Sequence, residues 1–167
     1  FFILSSLSSA ILLYGFAFLY GAIGTVRIVS VDPSVPSMAS MLAIAPSSSL
    51  VSNGALLIGI GLTVVGLGFK LSVVPFHMWA PDVYEGSPIP VAAYLAVLSK
   101  AAILAILVRV FLMGFSSNHT EWVTLFAFLS AATMVVGNLV ALAQNNFKRL
   151  LGYSAIAHSG YMLIGLA

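Results

Sequence analysis

The stretch GALLIGIGLTVVGLGFKLSVVPFHMWAPDVY, residues 54–84, decides the fold. It is apolar along almost its whole length and longer than the roughly 20 residues that one straight helix needs to cross a bilayer. Gly59, Gly61, Gly66 and Gly68 come first, then Lys70, then Pro75 and Pro81. A proline lacks a backbone N–H and pushes its predecessor out of helical angles. The sequence therefore predicts a membrane helix broken near Pro75, with the interruption over Val73 to Phe76. In lipid a break persists only where protein or water satisfies the freed backbone groups, so this helix must face inward at that point.

Working outward, the whole chain has the same character. Of its 167 residues, 61% are hydrophobic and only 6% charged, against roughly a quarter charged in a soluble domain. Such a chain cannot cover a globule with a water-facing surface, and an all-α integral membrane protein is expected. The apolar runs predict one membrane domain over residues 1–167, with about five spans at 2–26, 54–84 (broken), 88–113, 122–143 and 147–167 and a connection at 27–53. Five crossings put the two ends of the chain on opposite sides. The opening Phe1-Phe2-Ile3-Leu4 has no basic residues before it and is not a signal peptide. It reads as an internal boundary: a fragment, a processed product, or one piece of a longer split protein.

The connections carry their own signals. Pro33, Pro36, Pro46 and Ser47-Ser48-Ser49 mark an aqueous or interfacial segment, and the apolar patch Met38 to Ala45 within it is too short to span. Glu85-Gly86-Ser87-Pro88 reads as a turn, then an N-cap serine and a proline at the first helical position. Gln144-Asn145-Asn146 separates the last two spans.

Composition also excludes functions. Six Lys/Arg against four Asp/Glu give a net charge of +2, too little and too scattered for a nucleic-acid footprint. Without cysteine there is no thiol catalysis, disulfide, iron–sulfur cluster or zinc–thiolate site in this chain. Phosphate-loop, dinucleotide and His-Glu-x-x-His motifs are absent as well, so no cofactor or metal site is expected. Asn118-His119-Thr120 matches a glycosylation acceptor, a pattern too short to weigh.

What remains are ionisable residues in the spans. A lysine there is expensive, about 2.5–3.5 kcal/mol on insertion scales, and tends to mark a polar interior or a proton or ion path. Lys70 lies 15 residues after Ala55, about 22 Å along an ideal helix, and Lys100 lies 12 residues after Pro88, about 18 Å in. The plainer reading, a side chain stretched to the headgroups, fits neither depth, although Lys70 would be near a boundary if its span ended at Val74. Burial disfavours the charged form of a lysine and so brings proton exchange within reach. Asp32, Asp82, Glu85 and Glu121 all fall in connections or at span ends, so no span holds its own counter-ion.

His158, 11 residues into the last span, is either a proton carrier or a neutral histidine bonded between packed helices. Ser154, Ser159 and Tyr153 on the same helix supply hydroxyls for a hydrated chain or for helix packing. Arg109 reads as an interfacial anchor. Lys148-Arg149 opposes the dipole of the helix it starts, which points to an anionic partner or lipid headgroup, or to topology signalling. His77 and Trp79 either cap a half-helix or form an interfacial belt.

Two long blocks carry a resemblance. Phe69 through Pro88 (FKLSVVPFHMWAPDVYEGSP) and Gly137 through Tyr161 (GNLVALAQNNFKRLLGYSAIAHSGY) are similar, in order and spacing, to the antiporter-like subunits of respiratory complex I, of the subunit 2 type. The resemblance implies a proton-pumping module in the membrane arm of NADH:ubiquinone oxidoreductase, in a fold of about fourteen helices with two inverted five-helix repeats. It implies that Lys70 is a central proton carrier, that Lys100 passes protons onward along a hydrated axis, that Pro75 belongs to a discontinuous helix and that His158 is a further relay member.

The resemblance also implies that the family's paired glutamate and a further lysine lie outside these 167 residues, with neither repeat complete. Partners would then be neighbouring antiporter-like and other membrane subunits, lipids, and a chain or segment supplying that glutamate. FMN, iron–sulfur clusters and ubiquinone would be elsewhere in the complex. Met78-Trp79-Ala80 looks like mitochondrial versions and favours the inner mitochondrial membrane, with a bacterial plasma membrane as the alternative. Two other readings compete: a structural or assembly fragment without a working proton path, and a subunit of a multi-subunit cation/proton antiporter.

Overall fold

A computed structural model of the chain describes residues 2–28, 30, 34–44, 54–115 and 119–167 and, of 43–44 and 119–121, the backbone alone. Asp32, Asn118, Pro33, Pro46 and Ser47–Ser49 lie outside the described residues, as does the side chain of Glu121. The elements are α1 (Phe2–Ile23), α2 (Met38–Ile44), α3 (Gly54–Leu71), α4 (Trp79–Gly86), α5 (Ile89–Val108), α6 (His119–Leu142) and α7 (Phe147–Ile164). A π-helical segment, Arg109–Gly114, continues α5. The described residues are all-helical, without strands.

Four segments are long and apolar enough to cross a membrane: Phe2–Ile23, Gly54–Leu71, Ile89–Gly114 and Trp122–Leu142. The helix over the fifth expected span, α7, is 18 residues long, but Lys148 and Arg149 in its first turn and the polar Ser154, His158 and Ser159 make it less apolar. These helices are apolar on all sides, as a lipid-embedded bundle requires, and Leu13, Val97, Phe128 and Leu139 point outward.

Between helices the contacts use small residues. A Cβ on Gly66 of α3 would lie 2.7 Å from the Cβ of Leu12 on α1, and a Cβ on Gly137 of α6 would lie 2.8 Å from the backbone N of Ala157 on α7. Where lipid tails are as apolar as leucine, such close approach and interhelical hydrogen bonds hold the bundle. Ser8 Oγ on α1 donates to Gly66 O at 3.0 Å, and Ser130 Oγ on α6 donates to Gly160 O at 2.8 Å. The apolar core joins Leu19, Leu67, Leu71, Phe111, Phe126 and Leu163. The patch that begins at Met38 is the short helix α2, and its buried Met38 and Leu42 belong to the same core.

The helix that starts at Gly54 stops at Leu71, and helix resumes only at Trp79. The non-helical stretch thus begins earlier than the expected Val73 to Phe76, because the stop is made by Ser72 rather than by Pro75. Ser72 has φ +62°, its N–H donates to Phe69 O (3.1 Å), and the Val73 N–H donates to Gly68 O (2.9 Å). This is a Schellman C-cap, with serine in the left-handed position usually held by glycine. The Val74–Pro75 peptide is cis. Ser87, expected to N-cap the following helix, instead closes α4: its N–H donates to Val83 O at 3.0 Å, and Pro88 stands at the N-cap of α5 with Pro90 in the first turn.

Candidate functional site

The interruption between α3 and α4 leaves backbone groups without helical partners, and side chains from elsewhere take them up. Trp79 Nε1 donates back across the gap to Phe69 O at 2.9 Å, while its ring stacks on Phe69 with centroids 5.6 Å apart. The Val74 N–H donates to Thr133 Oγ1 of α6 at 3.1 Å. Ser159 Oγ of α7 donates to Leu71 O, the last carbonyl of α3, at 2.8 Å. Trp79 therefore ties the two half-helices together, which chooses between the readings open for it.

Lys100 of α5 reaches the same place. It is 4% exposed, its Nζ donates to Ser159 Oγ at 2.8 Å, and the Ala155 carbonyl accepts a second hydrogen bond. All these partners are neutral oxygens. The ion pairs among the described residues are those of Arg149, so the Lys100 amine is held by dipoles alone. Ser159, fully buried, connects Lys100 to the carbonyl next in the chain after Lys70.

Lys70 sits half-buried in the last turn of α3, where a cation suits the helix dipole. It lines a cavity of about 210 Å³ with Ser5 of α1, Trp79 of α4 and Ser99 of α5. Lys100 lines a different, larger cavity of about 420 Å³, shared with His158, Lys148, Tyr84 and Ser87. The hydroxyls of Tyr84 and Ser87 are buried without a hydrogen-bond partner. His158 is on the exposed side of α7; its Nδ1 is 2.8 Å from Ser154 O, and a carbonyl only accepts, so Nδ1 carries the hydrogen. Its ring meets Tyr161 edge-on at 5.7 Å. The fold thus brings Lys100 and His158 to one cavity and Lys70 to another, with Ser159 and Leu71 between them.

One edge of the larger cavity is closed by a polar clasp. Arg149 pairs with Asp82 (3.0 Å) and Glu85 (2.8 Å) of α4, and Asn146 Nδ2 donates to Glu85 Oε1 at 2.7 Å. Lys148 Nζ donates to the carbonyls of Glu85 (3.3 Å) and Ser87 (3.2 Å). The anionic partner of Lys148-Arg149 is thus the end of α4. Asn146 also caps α7, its Oδ1 accepting from Lys148 N at 3.0 Å. Sequence reasoning does not single out Thr133; its only signal is a lone hydroxyl in an apolar span, which equally fits a back-bond to its own helix, and Thr133 makes that bond too, to Leu129 O.

Known proteins share the sequence and the fold of this chain. NADH-quinone oxidoreductase subunit N of Desulforamulus reducens is 49% identical over 164 residues, which cover 98% of this chain and 32% of that protein. Respiratory complex I from Thermus thermophilus contains a chain that superimposes with a TM-score of 0.73 at 40% identity, over 99% of this chain and 32% of that one. The Mrp complex from Dietzia shares the fold, with a TM-score of 0.79 at 24% identity over 98% of this chain and 28% of that one. The chain spans about a third of the length of the curated relatives it matches. Those relatives are bacterial, so the mitochondrial assignment suggested by Met78-Trp79-Ala80 is not supported. The family model described as NADH:quinone oxidoreductase/Mrp antiporter, TM matches residues 1–167, and the chain belongs to that family.

Proposed function

We propose that this chain is part of a proton-translocating membrane subunit of an NADH:quinone oxidoreductase, in a bacterial plasma membrane, with Lys70, Lys100 and His158 passing protons inside the bilayer. The observation that carries the reading is Lys100: an amine 4% exposed, without a carboxylate partner among the described residues, bonded through Ser159 to the helix end that bears Lys70. An amine held only by neutral oxygens gains less from its charge than an ion-paired one, so it can give up its proton at lower cost. The roughly 420 Å³ cavity beside it, with two unpartnered hydroxyls in its wall, has room and polar partners for water. The 49% identity to an NADH-quinone oxidoreductase subunit favours this reading over a cation/proton antiporter, to which the likeness is one of fold.

In this reading the five helices named as spans, 2–26, 54–84, 88–113, 122–143 and 147–167, cross the membrane. The driving energy comes from quinone reduction in other subunits, which hold FMN, iron–sulfur clusters and ubiquinone. Neighbouring membrane subunits and a glutamate-bearing segment complete the path.

The test is Lys70→Met and, separately, Lys100→Met in the full-length protein within its assembled complex. Each should cut NADH-driven proton uptake into inverted membrane vesicles at least about tenfold, the effect expected when one positioned proton carrier is removed. Unchanged pumping by an intact complex carrying Lys100→Met would overturn the proposal and leave the structural-fragment reading.

A further inference from the structure

We propose that Ser159 is a positioning residue that couples the charge on Lys100 to the end of the broken helix α3, an inference that rests on the relay reading above. Its hydroxyl is fully buried and stands between two groups on two other helices, accepting from Lys100 Nζ at 2.8 Å and donating to Leu71 O at 2.8 Å. A hydroxyl has one hydrogen to give and two lone pairs to offer. While Lys100 is an ammonium it has only hydrogens, so Ser159 must accept from it, and its own hydrogen goes to a carbonyl. Once Lys100 has passed one proton along the relay, the neutral amine has a lone pair, and the hydroxyl turns its hydrogen to that nitrogen.

Leu71 O then loses its donor. No covalent bond to Ser159 forms or breaks; a single O–H rotates. The consequence falls on the last residue of α3, beside Lys70 and just before the left-handed Ser72. The charge on one lysine is thereby read at the helix end that bears the other. Ala155 O of α7 itself, 3.1 Å from Ser159 Oγ, is the alternative acceptor for the same hydrogen, and Leu71 O at 2.8 Å is the nearer.

The titratable groups that face this point are few. The cavity that Lys100 lines is also faced by Tyr84 of α4 and by His158 and Lys148 of α7; Lys70 of α3 lines the other cavity, and Asp82 and Glu85 of α4 are taken up by Arg149. Residues 122–142 of α6 contain no titratable side chain. Of these groups only Lys100 touches Ser159 among the described residues.

The experiment is Ser159→Ala in the full-length protein, in the assembled complex, with the pH profile of NADH-driven proton pumping measured in inverted vesicles. Loss of a charge-assisted hydrogen bond outweighs loss of a neutral one. One limb of the profile should therefore move toward acid by about one pH unit, and Ser159→Thr, which keeps the hydroxyl, should restore the wild-type profile. Ser159→Ala assembled in normal amount with an unshifted profile overturns the proposal. If Ser159→Ala does not assemble, Ser159→Cys keeps the volume with a much weaker donor; a shifted profile supports the coupling and an unshifted one overturns it. Lys100→Met separates the two readings: normal pumping there removes the relay itself, whereas lost pumping there with a wild-type Ser159→Ala profile removes only the role of Ser159.

Discussion

Thr133 shows what one hydroxyl does when it is fully buried. It accepts from the Val74 N–H at 3.1 Å and so satisfies a donor that the helix break has freed. Thr133→Val keeps the shape and removes the acceptor, leaving a buried amide unpaired at a cost of about 1–3 kcal/mol. The melting temperature of the purified complex should fall, and an unchanged value would mean that the Val74 amide finds another partner. Asn146 is the corresponding case at a helix start. Its Oδ1 accepts from Lys148 N at 3.0 Å while its Nδ2 donates to Glu85 at 2.7 Å, so Asn146→Ala should cost about 1 kcal/mol for the cap. Asn146→Asp, which keeps the cap oxygen but turns the donor toward Glu85 into a like charge, should not fully restore stability. Wild-type stability of Asn146→Asp would show that the contact with Glu85 contributes nothing.

At the scale of elements, α4 is a short helix with few reasons to hold its place alone. It spans only Trp79–Gly86 and depends on what it touches at both ends: Phe69 through Trp79, and α7 through Asp82 and Glu85. The Arg149 pairs are solvent-accessible, with Asp82 70% exposed, so their attraction is screened by salt. Arg149→Gln should loosen α4 at low ionic strength, seen as faster amide exchange over residues 82–87, and the difference from wild type should shrink in high salt. A difference that does not depend on salt would assign the effect to packing of the guanidinium instead. Gly152 adds a steric term to the same contact, since a Cβ there would lie 3.0 Å from the Cα of Pro81.

For the whole molecule, bundle geometry is set by how closely the helices approach. Gly137→Leu would push a side chain into the backbone of α7, 2.8 Å from Ala157 N at its first carbon. Overpacking of this kind costs about 1–3 kcal/mol or more. Because Ser159 is two residues from Ala157, the Lys100 contact should be lost as well. The expected result is a less stable complex with impaired pumping, checked by thermal denaturation and vesicle assays; a wild-type outcome in both would mean that α6 and α7 can move apart without consequence. The membrane class was legible from composition, because so few charged residues leave no way to cover a water-facing surface, and its helical character from the length of the apolar runs. The polar positions were legible too: Lys70, Lys100 and His158 stand out against apolar neighbours at any depth. The place where α3 stops was not, since a serine in a left-handed cap has no local signature as strong as a proline. Nor was the pairing of Lys148-Arg149 with the end of α4, or the bridge from Lys100 through Ser159 to Leu71. Those contacts join residues 59 to 88 positions apart, and hydropathy tells which residues enter the membrane but not which helix faces which. Only close packing of α3, α5 and α7 decides that, because a hydrogen bond between helices exists solely at the few ångströms where their backbones meet.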